Sequence, residues 1–567
     1  MDNNNRNTHS EAEEFNAFHA SSAPAKEAKK RPPQKSAKGA PKKKGSFLKK
    51  IDKKIILAVA IGLLVLLLVA GIVVLALSRD RHILREDNAF LVYSDSEGNY
   101  HLLSNGYEIE KDFEGEVELV VAEDNSFAYV VDHGEDGDYV YLLKGKKLEA
   151  ITQSAVETVL RYAALKPGLI YEDGDKIRIW NQEVDETTVA RISDGADNFM
   201  ISGDASTVVY TEPNKNDTKK VELRFFRPKD GVDEVLGTKS IVFTPVAVSN
   251  YGDYVYASFT SNDVRKLCVF NTNDLDELSG APIADSEGFE RIVSMNVKGN
   301  ELLFYTQKTT DSGLQATTKL FRFGKDEQMA EKLLDAQMAP KNVDPNVVYY
   351  DDFSDIYMTA VKLGDKTSCA IYRMDEYIPE KIASYKIADN AIDSSAIDPS
   401  GRFLYYINED SKLIQLDLKD ENKTVTARIE DVEKFYITQK GNIYFLESDG
   451  TLRYREATKK RNNRIAEDVI DISFYYYANT LYFTKDEAVD IFMTKEGSAE
   501  ENVRMDSTQV TALPAFSETY GKQTYATYDD IDDGGKIFFT SNGKKFKLIT
   551  NNYDEIFYKI VSFDLWD

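Results

Sequence analysis

Hydrophobic positions along this chain follow two patterns. The first is a single uncharged run, Ile55 to Ser78, which at about 1.5 Å per residue is long enough to cross a hydrocarbon core of roughly 30 Å. It predicts one transmembrane helix over 55–78, and no second run like it follows. The second pattern begins beyond the run and recurs to the end of the chain: a short apolar and aromatic strand, a polar turn, then an alternating strand. Strand centres fall at Val92, Tyr129, Ile170, Val209, Val255, Phe304, Tyr349, Tyr405, Tyr444, Tyr482 and Phe538. Their mean separation is about 45 residues, the spacing of propeller blades.

Each period reads as four strands, for example Thr158 to Ala163, Gly168 to Glu172, Lys176 to Asn181 and Thr188 to Ser193. Turns such as Glu172-Asp173-Gly174-Asp175 and Ser448-Asp449-Gly450 carry the residues that left-handed hairpin positions favour. With 33 Tyr and 29 Phe against 2 Trp, the strands suit rings that bury one edge and keep a polar tip wet. The fold class is therefore all-β, a β-propeller ectodomain. Eleven periods exceed the four to eight blades usual in one ring, so two tandem rings are expected, with one eight-bladed ring carrying insertions as the alternative. The break is placed near residue 338, because Lys325 to Met338 has helical character and Pro340 and Pro345 follow. The domains are then 1–54, a disordered basic cytoplasmic tail; 55–78, the transmembrane helix; 79–338, a first propeller; and 339–567, a second.

Charge fixes the expected topology. Residues 1–54 hold 14 Lys+Arg and 6 Asp+Glu, and Lys42, Lys43, Lys44, Lys49, Lys50, Lys53 and Lys54 crowd against the apolar run. Such a cluster resists translocation, so the tail is expected inside the cell and 79–567 outside. A cleaved secretory signal competes, with Ala76, Leu77 and Ser78 at the cutting position, but its leader and apolar core are both too long. The tail is poor in apolar residues and suits contact with anionic lipid headgroups. Ser36 or Ser46, if phosphorylated, would weaken that contact. Beyond the membrane 56 basic and 89 acidic residues leave a net charge of −33, which repels nucleic acid. Cys268 and Cys369 both lie in strand-like stretches and read as two buried thiols, a bridge between them being the alternative.

Ala396-Ile397-Asp398-Pro399-Ser400-Gly401-Arg402-Phe403-Leu404-Tyr405-Tyr406 resembles the S-P-D-G hairpin of TolB-like propeller repeats, with weaker copies at 249–257 and 202–210. Asp398 stands where the family has serine, and Ser400 where it has aspartate. The resemblance implies an extracytoplasmic platform for protein interaction and transfers no site residue. WD-like propellers match less: no Gly-His occurs, and Trp566-Asp567 ends the chain. Quinone-dependent propeller dehydrogenases are tryptophan-rich, and Trp180 is the other tryptophan here.

Chemistry is argued mainly by what is missing. Of five histidines, His9 and His19 precede the apolar run, His82 adjoins it, and His101 and His133 stand in the repeats, each expected as a solvated loop residue beside a turn. Imidazole-dependent hydrolysis and His-ligated zinc lose their basis from Gly134 onward. Asp132-His133-Gly134-Glu135-Asp136-Gly137-Asp138 fails the EF-hand template at Gly134 and Leu143, and reads as a hairpin turn, as does Asp529 to Gly534. Tyr475, Tyr476 and Tyr477 alternate faces, so at least one points inward. No catalytic, cofactor-binding or metal residue is named, and no cofactor is expected. The functional expectation is a membrane-anchored, non-enzymatic scaffold of the bacterial cell envelope, whose partners are the lipid bilayer and an envelope protein or glycan. The alternatives are an extracellular sensor signalling through the tail and a carboxylate-based glycan hydrolase. Partner identity, ring number and oligomeric state are not legible.

Overall fold

The computed structural model describes residues 86–560 except 241, 275–278, 297, 310–315, 325–328, 336–342, 350–355, 363–367, 376–377, 387–394, 409, 421–424, 487–489, 506–512, 518–520, 529–534 and 558, and gives the strands between 329 and 386 as backbone only. The described residues belong to one compact unit. The basic tail 1–54 and the apolar run 55–78 lie outside them, and among the described residues no helix is long and apolar enough to cross a membrane.

Regular structure is almost wholly β-strand, arranged among the described residues as eleven sheets, nine of four strands and two of five. Sheet 3 shows the plan. Its strands Thr158–Tyr162, Gly168–Asp173, Lys176–Asn181 and Asp185–Arg191 pair antiparallel, each with the next. These are the four strands expected there to within a residue at each end, except that the last begins three residues earlier, at Asp185, and ends at Arg191, where Ile192–Asp194 winds into a 3-10 turn closed by Gly195 at φ 79°. Sheets 4 to 10 repeat the plan over 197–240, 243–282, 289–335, 343–386, 395–429, 432–466 and 469–502. Sheet 2 covers 116–150 and sheet 11 covers 515–553, each gaining a short parallel edge strand, Lys559–Ile560 and Arg504–Met505 respectively.

Sheet 1 draws on both ends of the described chain. Phe90–Ser94, Tyr100–Ser104 and Tyr107–Ile109 are joined by Glu555–Phe557, with Val92 opposite Phe557 and Ser94 opposite Glu555.

The expected helix over Lys325 to Met338 is not formed where the structure describes it. Met329–Asp335 is the fourth strand of sheet 6, paired with Ala316–Gly324. Helix propensity is a weak prior, and the open edge of the neighbouring strand supplies the backbone partners that decide the matter. The expected ring boundary at residue 338 lies outside the described residues.

At every junction whose side chains are described, successive sheets pack face to face, which explains the apolar second strands. Phe90–Ser94 is buried at every position, and Ile443–Glu447 at every position but the last, because both faces meet a neighbour. Separate apolar clusters join sheets 1 and 2, 2 and 3, 3 and 4, 4 and 5, and 5 and 6. Others join 8 and 9, 9 and 10, and 10 and 11. A further cluster, with Ala89, Leu91, Tyr93 and Leu103 against Tyr525, Ile537 and Tyr553, joins sheet 11 to sheet 1. Four-stranded meander sheets stacked in this way, with a closing strand from the far end, make a β-propeller.

Buried tyrosines staple the sheets together. The Tyr129 hydroxyl of sheet 2 donates to the Gly168 carbonyl of sheet 3 and accepts its N–H, both at 2.8 Å. Tyr256, Tyr405 and Tyr482 donate to carbonyls of the following sheet at Gly299, Gly441 and Gly543, at 2.8, 3.3 and 2.8 Å. Tyr525 of sheet 11 accepts the N–H of Gly106 in sheet 1 at 3.0 Å, so the same device closes the series.

The turn between first and second strands also recurs. Ser202 Oγ accepts the Thr207 N–H at 3.0 Å and Ser249 Oγ the Tyr254 N–H at 2.9 Å. Asp398, buried, accepts the N–H groups of Arg402 and Phe403 at 2.8 and 2.5 Å. A carboxylate therefore takes the acceptor's seat that Ser202 and Ser249 hold in the other two turns. Cys268 is buried with a free thiol that donates to the Ala257 carbonyl at 3.2 Å, and burial pushes that thiol up to about 12. Cys369 lies on the strand Ser368–Asp375, its side chain outside the described residues.

Candidate functional site

Successive strands of a sheet run in opposite directions. Turns from first to second strand and from third to fourth therefore share one end of every sheet, while second-to-third turns and the links to the next sheet share the other. Hydrogen bonds between neighbouring turns keep the ends in line: Glu123 N–H to Ala164 O at 3.1 Å, Leu165 N–H to Gly203 O at 2.7 Å, and Asp204 N–H to Asn250 O at 2.9 Å. Two faces result. The N-terminal end of the described chain joins the first, called here the N-terminal face, through Glu86 N–H to Asp124 O at 2.7 Å.

The faces differ sharply in charge. Over the described connections between strands and the lead-in 86–89, the second face carries 23 acidic and 4 basic residues, whereas the N-terminal face carries 14 and 12. The charge of the described sheets is thus concentrated on one side, where potentials add.

A cleft of about 1150 Å³ opens on the acidic face where sheet 1 passes to sheet 2, lined by Gly98 to His101 and Glu108 to Glu116. Its shape comes from one buried group. Asp132, on the strand Ala128–Gly134, accepts the N–H of Glu114 at 3.0 and 3.1 Å and of Gly115 at 2.9 Å. Lys111 Nζ stands 3.7 Å from the same carboxylate and 5.3 Å from the ring centres of Phe113 and Tyr141. The one cation of this link is therefore drawn inward, leaving Glu110, Asp112, Glu114 and Glu116 along the cleft.

Both repeat histidines sit at this end, and neither is a loop residue as expected. His101 belongs to the strand Tyr100–Ser104, stacked on Tyr93 with ring centres 4.8 Å apart. Its Nδ1 is 2.7 Å from Glu108 Oε1 and its Nε2 3.2 Å from Asp95 Oδ2. Burial alone would depress its pKa, but the hydrogen bonds to Glu108 and then Asp95 outweigh burial and raise it. Asp95 is held well below the usual carboxylate range by the backbone N–H and side chain of Asn99. His133 lies on Ala128–Gly134 with Nδ1 2.7 Å from Asp138 and Nε2 4.0 Å from Glu118. One signal in sequence could have placed His101: Tyr93 and His101 face each other across the tight turn of 95–99.

Asp132 to Asp138 closes a hairpin, Gly134 opposite Gly137, as the turn reading held. Asp529 to Gly534 lies outside the described residues. Among the described residues no group of three or more His, Cys, Asp or Glu is disposed to hold a metal ion. Tyr475 points inward and is buried, while Tyr476 is 37% exposed, on the N-terminal face.

No known family matches the chain, and no curated protein matches it in sequence. Among solved structures it is similar to an oligogalacturonate lyase from Vibrio parahaemolyticus, with 10% identity and TM-score 0.32 over 60% of this chain and 100% of that one. It is similar also to the β-propeller domain of the Trilobed protease from Pyrococcus furiosus, with 17% identity and TM-score 0.24 over 54% and 94% of the two chains. A third likeness is to the tricorn protease, with 10% identity and TM-score 0.27 over 82% and 58%. At these scores the likenesses carry no argument about chemistry.

Proposed function

We propose that this chain is a membrane-anchored β-propeller scaffold of the bacterial cell envelope, with 1–54 inside the cell, 55–78 in the bilayer and the sheets outside. Its acidic face docks a cationic partner, a lysine- or arginine-rich segment of an envelope protein. The observation that carries this reading is the division of charge between the faces, 23 acidic and 4 basic residues on one against 14 and 12 on the other. A surface of one sign raises the local concentration of oppositely charged partners and speeds their encounter. Loops presented by every sheet around a rigid frame suit recognition. The packing of sheet 11 on sheet 1 supports one closed series of eleven blades over two tandem rings, 79–338 and 339–567. No observation favours a sensor or a carboxylate-based glycan hydrolase over this reading.

The test uses the full chain in lipid nanodiscs with a lysine-rich and a glutamate-rich peptide of equal length. The lysine-rich peptide is expected to bind, to weaken steeply with salt, and to lose about tenfold in affinity when Glu110, Asp112 and Glu114 are changed together to Lys. Equal binding of both peptides, or a triple variant that binds like the parent, would sink the proposal.

A further inference from the structure

We infer that the N-terminal face of the propeller rests on anionic lipid headgroups at the outer surface of the membrane that anchors it, an inference that rests on the reading of 55–78 as that anchor. The first argument is reach. Seven residues, 79–85, separate the apolar run from Glu86, and seven residues span at most about 25 Å. Glu86 and its neighbours are fastened at this face on both sides of sheet 1. Asn88 Nδ2 donates to Asn125 O of sheet 2 at 3.0 Å, and Asp87 Oδ1 accepts the Gln523 N–H of sheet 11 at 2.8 Å. The face where the chain joins is therefore tied close to the bilayer, and the acidic face is turned away.

The second argument is chemistry at the point of joining. Tyr107, which opens the third described strand of sheet 1, is 55% exposed. Lys146 lies over its ring, and Lys547 Nζ is 6.0 Å from the ring centre. Lys522 adjoins Gln523, and Lys544, in the nearby turn of sheet 11, is paired with Glu501 at 2.7 Å on the exposed surface. Exposed tyrosine flanked by lysines is the composition of a membrane interface, apolar ring inward and charge at the headgroups. The two acids of the lead-in are engaged by the protein: Asp87 as above, and Glu86 Oε2 by Asn88 Nδ2 at 3.2 Å. An anionic leaflet would repel the other face within a Debye length of about 8 Å.

The full chain would be reconstituted in nanodiscs of phosphatidylcholine alone or with phosphatidylglycerol, and its lysines acetylated and mapped by mass spectrometry. Lys146, Lys522, Lys544 and Lys547 are expected to react about threefold more slowly in the anionic discs, while Lys215 and Lys219 of the acidic face react alike in both. The protection should fall when Tyr107→Ser and Lys522→Glu are combined. Equal reactivity in both discs overturns the inference while leaving the anchor intact, and protection of Lys215 and Lys219 instead overturns it by reversing the orientation. Release of the chain from vesicles by alkaline carbonate overturns the anchor reading, and this inference with it.

Discussion

Tyr129 shows how much one hydroxyl does in this fold. Its ring fills the junction of sheets 2 and 3 and its oxygen both donates to and accepts from Gly168. Tyr129→Phe keeps the ring and strands the buried Gly168 N–H, while the Gly168 carbonyl keeps the Ala163 N–H at 2.8 Å, so a loss of about 1–3 kcal/mol is expected in urea unfolding. A midpoint equal to the parent's would mean that the staple contributes packing alone. His101 gives a prediction with a sign. Its raised pKa means that the paired, protonated form stabilises the fold below the ordinary histidine value of about 6.5, and that this contribution is lost as pH rises through the raised folded value. His101→Gln should therefore cost stability at about pH 5.5 and nothing at about pH 9, by less than about 1 kcal/mol, since the pair is partly exposed. The measurement is the gap between urea midpoints at the two pH values, and a gap that does not change with pH removes the imidazolium from the account. Sequence singled out Tyr129, Tyr405, Tyr444 and Tyr482 as strand centres, and all are fully buried. It could not show where their hydroxyls go, because the partner is backbone of the next sheet, 36 to 61 residues on.

At the level of elements, turns decide as much as strands. Gly252 has φ 71°, and a Cβ there would meet Thr207 Oγ1 at 2.2 Å, whereas Gly174 has φ 58° with nothing within 4 Å. Gly252→Ala should destabilise by about 2–4 kcal/mol and Gly174→Ala by about 1 kcal/mol, compared by thermal unfolding. Equal losses would show that backbone strain, and not the crowded turn between sheets 4 and 5, sets the cost. Nine of the eleven strand centres fall on the buried second-strand position of their sheets or its equivalent in sheet 1. The other two are one strand off. Tyr349 ends the first strand of sheet 7, Val343–Tyr349, and Phe538 lies on the third of sheet 11, Gly535–Thr540, where Tyr525 on Thr524–Tyr528 holds the equivalent place. Both slips have one cause: apolar density marks a strand as sandwiched, and in these sheets a neighbouring strand is as apolar as the central one.

For the whole molecule, the closing strand is the test of how the sheets cooperate. Ending the chain after Tyr553 removes Glu555–Phe557 and leaves Phe90–Ser94 as an open edge. The shortened chain is expected to unfold at lower urea, over a broader range, and to self-associate in size-exclusion chromatography. An unchanged midpoint would show that the apolar seam between sheets 11 and 1 suffices without the strand. The two-sided charge was also legible in part: the acid-rich turns are plain in the sequence, but only the strand order sorts them onto one face. The cleft was hidden, since its form depends on Asp132 reaching across eighteen residues to hold the link at Glu114.

The first sheet is completed by a strand that lies more than four hundred residues beyond its own first three. A chain emerging from its N-terminus carries Phe90–Ser94 unpartnered on one side until more than four hundred further residues have appeared. During that interval the edge is open to any strand that passes, its own or a neighbour's. Biogenesis therefore demands protection of one particular five-residue segment, and that protection can be withdrawn only once Glu555–Phe557 has been made.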